Sequence, residues 1–223
     1  MADKLVKFNT FNSNFYPLLE MSNCYVCLTI LNKHTSSKEH ILSNACGGRL
    51  IAYKLLCKTC NEKMGAGIDA ELAKRTASLR GKVEATDYKI TAVHKSIAKS
   101  AISFFLMKRG ERKFIQHLIP FLLNNEKLET VVSHLPDKSL YSHQPDEVSH
   151  IIQLIGNPSE GILYCYIGLF NTDGYLVRLN DQYDGPVINK TYIYDVLQAG
   201  ELKKEVLINY TRDKLFSLFS MQP

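Results

Sequence analysis

Two pairs of cysteines have spacing suited to chemistry. Cys24-Tyr25-Val26-Cys27 and Cys57-Lys58-Thr59-Cys60 each place two residues between thiols. A gap of two lets a tight turn aim both sulfurs at one point, and two such knuckles supply the four thiolates of a closed, tetrahedral structural zinc site. Disulfides and a redox dithiol are the competing uses. The first twenty residues alternate polar and apolar groups and include Asp3 and Glu20. No secretory leader is therefore expected, which weighs against disulfides. Two knuckles in one short stretch weigh against a redox pair. Between the knuckles lie 29 residues, more than the roughly 15–20 of a simple zinc ribbon, so something is inserted into the site. Cys46, within that insertion, and Cys165, in the apolar run Ile162–Phe170, are expected to be small buried side chains.

The insertion carries the adjacent pair Glu39-His40 and then Cys46-Gly47-Gly48-Arg49. On an extended strand neighbouring side chains point to opposite faces. At a strand end or bulge, both could reach a common site. A carboxylate and an imidazole together can provide a metal ligand and a general base, the two parts needed to activate water. Taken alone, such a pair reads more simply as one exposed Glu and one satisfied His. Asn61, directly after the second knuckle, offers a neutral oxygen but also suits a helix cap.

Taken together, C-x-x-C, Glu-His-Ile, Gly-Gly and C-x-x-C-Asn, followed by Gly and Asp-x-x-Leu, resemble the HNH endonucleases with a zinc-stapled ββα-metal core. The likeness is to the branch whose motif begins Glu-His and covers about residues 24–82. It implies that His40 is the general base and that Glu39 and Asn61 hold one divalent cation, magnesium or manganese, both of which favour oxygen ligands. It also implies that Cys24, Cys27, Cys57 and Cys60 hold structural zinc without touching substrate. The reaction implied is metal-dependent hydrolysis of phosphodiester bonds in DNA, leaving 5′-phosphate and 3′-hydroxyl ends, in the setting of phage defence or a mobile element. RNA is the other substrate of the same chemistry. Three positions depart from the family pattern: Ser43 stands for a frequent proline, Cys46 for an apolar residue, and Ala52 for an asparagine that orients the base. The alternative function is a zinc-stapled nucleic-acid-binding module that does not cut.

Positioning these groups requires a scaffold, and 223 residues, 45% hydrophobic and 22% charged, suffice for one sizeable core or two modest domains. No apolar run approaches the roughly 18 residues of a membrane span, so a cytoplasmic protein is expected. The net charge of +5 is unevenly spread, with residues 1–82 at +6, residues 83–130 at +3 and residues 131–223 at −4. That asymmetry favours a polyanionic partner for the front. Lys38, Arg49, Lys54, Lys58 and Lys63 flank the motif as candidate phosphate contacts, with Lys74, Arg75, Arg80 and Lys82 following.

The expected fold is α+β: an HNH core over 1–82, a helical segment over 83–130 and an α+β accessory domain over 131–223. That last domain could bind a ligand, form a homodimer or dock a protein partner. Apolar spacing predicts a helix over 93–107 and another over about 111–124 with Pro120 inside it. Strands are expected at 148–155, 162–170 and 175–179, in an antiparallel meander with 162–170 central. A last helix is expected over 205–219. His134, His143 and His150 match no ligand spacing and are read as polar surface.

Overall fold

The computed structural model describes residues 23–79, 88–108, 110–124, 130–135, 148–202 and 210–220. The first knuckle is pinched by an isolated antiparallel bridge between Asn23 and Ile30. Strand β1 (Ser36–His40) then pairs antiparallel with β2 (Ile51–Cys57), and α1 (Lys58–Met64) follows directly. The hairpin register shifts between Ser36 and Lys38, where Lys54 on β2 adopts φ 59°. This is a β-bulge, a device that bends a strand and re-aims its side chains. The connection between the strands contains a 3₁₀ turn, Asn44–Cys46, closed by Gly47 at φ 88°. Beside it, a Cβ at Gly48 would collide with the Leu42 carbonyl, so this double glycine is required by backbone contact.

After α1 the chain forms one π-helical turn, Gly65–Asp69, and then α2 (Ala70–Leu79). Extra residues in such turns recur at functional sites because they rotate the following side chains. Helix α3 (Ile90–Met107) is buried from Lys95 through Phe105 almost all round. It lies between two layers, packing on β2, α2 and the π turn on one side and on the large sheet on the other.

The segment expected to form one helix over 111–124 is broken. Two 3₁₀ turns, Arg112–Phe114 and Gln116–Leu118, precede the short α4 (Ile119–Leu123). Pro120 explains the break, because proline lacks an amide donor and is tolerated only in a helix's first turn, where it sits here. The apolar side chains Phe114, Ile115, Leu118, Ile119 and Leu122 are nevertheless buried as their pattern requires.

The second sheet has six antiparallel strands: β3 (Val132–Leu135), β4 (Ser149–Asn157), β5 (Ile162–Leu169), β6 (Asp173–Asn180), β7 (Ile188–Asp195) and β8 (Gly200–Glu201). Their order is β3-β6-β5-β4-β7-β8. The expected meander is its centre, and β5, buried at every residue, lies inside it. The β5–β6 turn falls at Phe170 and Asn171, both at positive φ, with Asp173 and Gly174 already in β6. Strand β6 thus begins two residues before the expected start at 175. Strands β3 and β7 extend the meander on both sides and were not anticipated.

Side chains alternate across this sheet. Ile152, Leu154, Leu163, Cys165, Ile167 and Val177 join a core that runs from Cys24 through α3 to Tyr183. Ile151, Tyr164, Tyr166, Leu176 and Ile193 face the other way and are covered by α5 (Arg212–Ser220), where Leu215 is buried. The period of two thus gives one face to α3 and the other to α5. The helix expected over 205–219 is seen from Arg212, and residues 203–209 lie outside the described residues.

Candidate catalytic cleft and metal centre

The sulfurs of Cys24, Cys27, Cys57 and Cys60 all lie within 4.8 Å of one another, with Cys27 and Cys57 3.6 Å apart. Zinc–thiolate bonds of about 2.3 Å put tetrahedral sulfurs roughly 3.8 Å apart, so the cluster fits one zinc ion. Local structure builds it from both ends. Cys57 caps α1, its sulfur accepting the Cys60 amide at 3.4 Å. The Thr29 hydroxyl, 3.1 Å from Cys27 Sγ, and its amide hold the Cys27 thiol down to about 6. Burial pushes Cys57 and Cys60 upward. Four thiols gathered this closely become thiolates together only around a cation. Cys46 and Cys165 are buried and stand outside the cluster, as expected.

A cleft of about 640 Å³ opens beside this staple, lined by Glu39, His40, Asn61, Asp69, Lys74 and Lys99 among others. His40 is the last residue of β1, beyond the bulge. Neighbours on one strand therefore share one cleft, as the strand-end alternative required. Glu39 is 1% exposed and His40 partly exposed. Asn61 lies in the second turn of α1 and is not its cap. Its Nδ2 donates to the Lys38 carbonyl at 3.2 Å, which anchors the amide and leaves Oδ1 as the atom it could offer to a cation. Ala52 pairs with Glu39 across the hairpin, so the strand position expected to orient His40 carries no polar group.

Burial works first on the His40 imidazole, then Lys38, Arg49 and Lys99, and all lower its pKa. The ring is therefore neutral at neutral pH. Lys99 of α3 reaches the cleft floor with its Nζ 2.7 Å from Glu39 Oε1 and 2.5 Å from Asp69 Oδ2. Asp69 Oδ1 also accepts the Ser96 hydroxyl at 2.6 Å. Glu39 Oε1 is thus a buried carboxylate oxygen whose near neighbour is the Lys99 ammonium. Burial pushes Glu39 up to about 7, with Lys99 pulling the other way. On Lys99, burial is outweighed by Asp69 and Glu39, and the ammonium is held charged.

A buried carboxylate and an anchored amide lining one cleft offer the oxygen donors that suit one hard divalent cation. Apart from the four cysteines, no three His, Cys, Asp or Glu side chains converge among the described residues. Such a cation would have few protein ligands and keep positions for water and phosphate, as magnesium does.

Of the candidate phosphate contacts, Lys38, Arg49, Lys58 and Lys63 are exposed and Lys54 is half-buried. Arg49 also donates to Asn44 Oδ1 at 3.1 Å. Lys74 pairs with Glu71 at 2.7 Å. Arg75 turns away from the cleft to chelate Asp173 with two 2.8 Å bonds, so it is a structural tie and is withdrawn as a phosphate contact. Arg80 and Lys82 lie outside the described residues. The reading of the later histidines as surface is also corrected at two of them. His150 is 1% exposed and bonds the Cys46 carbonyl at 2.9 Å, while His134 leans on Asp173 at 3.2 Å. His143 lies outside the described residues.

Sequence reasoning assigned no role to Asp69 or Lys99. Asp69 stood in the Asp-x-x-Leu motif without one. Lys99 had a faint signal: a cation amid Ser96, Ser100 and apolar residues at a buried helical phase.

Residues 24–77 match the model of the HNH endonuclease family. No curated protein and no solved structure matches the chain.

Proposed function

From the HNH endonuclease match of residues 24–77, we propose that the protein is a metal-dependent endonuclease that hydrolyses phosphodiester bonds in DNA. The observation carrying this reading is that Glu39, His40 and Asn61, brought from β1 and α1, line one cleft. His40 takes a proton from the attacking water, a role that needs a neutral ring within reach of that water. Its lowered pKa supplies the neutral form. Glu39 and Asn61 would hold magnesium or manganese, which when bound neutralises charge on the phosphate and on the departing 3′-oxygen.

Lys38, Arg49, Lys54, Lys58 and Lys63 surround the motif and position the backbone through phosphate contacts that need no base reading. The thiolate site is coordinatively closed and holds the hairpin to α1, so its zinc is structural. A role in phage defence or a mobile element belongs to the same proposal and rests on family resemblance alone.

Incubation of the purified protein with supercoiled plasmid and Mg²⁺ or Mn²⁺ tests the reading, with single-stranded RNA as a comparison substrate. Nicking that disappears in His40→Ala supports it. A His40→Ala variant that cuts as well as the parent removes the base assignment. Salt-dependent DNA binding without cleavage under any divalent metal would replace the enzyme with the non-cutting zinc-stapled binding module.

A further inference from the structure

The floor of the cleft holds a cation that belongs to neither the zinc staple nor the matched segment. Lys99 comes from α3, more than twenty residues beyond the end of the match at residue 77. Its side chain is 2% exposed and stands between two carboxylates, Glu39 and Asp69, which are 1% and 10% exposed.

With Glu39 ionised, as a ligand to a cation must be, charges at this floor count −1 for each carboxylate and +1 for the ammonium, a net of −1. A divalent cation on Glu39 brings the group to +1 in a desolvated place, where an uncompensated charge is disfavoured. One phosphodiester, carrying −1, returns it to neutrality. Lys99 thus repels a cation that arrives alone and tolerates one that arrives with substrate.

We infer that Lys99 is a built-in counter-cation that makes divalent-metal binding at Glu39 depend on a nucleic-acid phosphate. The inference rests on the assignment of Glu39 as a metal ligand, and it concerns when the site loads. In this role Lys99 is a positioning residue, because it acts through Glu39 and not on the reacting atoms. The coupling is reciprocal: substrate tightens metal, and metal tightens substrate by the same factor. A nuclease so arranged holds little catalytic metal until DNA is in the cleft.

Titration calorimetry with Mn²⁺ tests this in full-length, zinc-loaded protein carrying His40→Ala, so that DNA is bound but not cut. A short duplex should tighten Mn²⁺ binding at least tenfold. Adding Lys99→Met should tighten Mn²⁺ binding at least tenfold without DNA and shrink the gain that the duplex gives. Lys99→Arg, which keeps the charge, should behave as the parent. If Lys99→Met does not fold, Asp69→Asn tests the same balance with opposite sign, weakening Mn²⁺ binding at least tenfold without DNA.

Mn²⁺ binding that is no tighter in Lys99→Met than in its parent overturns the inference, as does DNA-independent binding in the parent. Failure of the nuclease reading looks different. There the unmodified protein fails to cut plasmid, while the calorimetric contrast between parent and Lys99→Met remains. A protein that cuts with DNA-independent Mn²⁺ affinity would keep the nuclease and lose the role of Lys99.

Discussion

His40 differs from an ordinary surface histidine in what surrounds it. Partial burial and the charges of Lys38, Arg49 and Lys99 all disfavour the imidazolium. A base is competent only when neutral, so activity should fall as pH drops through a value below the usual histidine range of about 6.5. Single-turnover cleavage at saturating DNA and metal, measured from pH 5 to 8, should therefore show an acid limb displaced below that of an ordinary histidine. Arg49→Ala removes one of those cations and should move the acid limb upward. A limb that does not move would mean that another group sets the profile. Glu39→Gln, which keeps size and loses charge, should cut cleavage by 10²-fold or more, the scale on which a first ligand matters to metal-assisted chemistry.

At the scale of elements, the cleft depends on two joints. The first is the β1–β2 connection, where the Gly48 Cα faces the Leu42 carbonyl with no room for a methyl group. Gly48→Ala should destabilise the protein by about 3 kcal/mol, the upper range for overpacking a filled site. Denaturant unfolding checks this, and a cost near zero would show that the loop has freedom the contact denies.

The second joint ties α2 to β6. Asp173 accepts two bonds from Arg75 and one from the Tyr175 hydroxyl at 3.1 Å, beside His134. Burial alone would raise this carboxyl, but His134 and Arg75 more than offset it and hold it below the carboxylate range. A depressed pKa gives stability that is present above the unfolded value of about 3.9 and is lost as pH falls through the folded one. Asp173→Asn should therefore cost about 3 kcal/mol at neutral pH, since it leaves the Arg75 charge half-buried and unpaired. It should also flatten the stability loss below about pH 4. Urea midpoints at pH 7 and pH 3.5 measure both effects.

At the scale of the whole molecule, α3 is the shared partner of the zinc-stapled hairpin and the six-stranded sheet, and one apolar core runs through all three. Damage to the staple should thus be felt beyond residues 24–60. Stripping zinc with a strong chelator, or Cys57→Ser, should cost several kcal/mol, which for a chain of this size means a fall in Tm of about 10 °C. Differential scanning fluorimetry with metal analysis, expected to return one zinc per chain, checks it. A chain without zinc, or an unchanged Tm after its removal, would undo the assignment. No helix among the described residues is long and apolar enough to cross a membrane.

Local rules made a particular set of features legible in the sequence. The two C-x-x-C knuckles are legible because thiolate spacing is a local property, and the helix at 90–107 and the strands at 149–157 and 162–169 because period and apolarity are local too. The triplet proposed as catalytic was legible only as a pattern, since neither Glu39 nor His40 nor Asn61 is informative alone. What escaped were contacts between residues distant along the chain. β3 and β7 are short or half-polar strands made by the neighbours they pair with, and the 111–124 helix yields to Pro120 against a core that fixes its apolar side chains. Arg75, which in sequence is one basic residue among several, finds Asp173 98 positions away. Lys99 finds Glu39 and Asp69 because α3 threads between hairpin and sheet. Sequence alone thus determined the zinc staple and the family likeness of the segment around it. The tertiary structure decided which charges stand together in the cleft, because a desolvated ion pair is set by packing between elements and leaves no periodic trace in the chain.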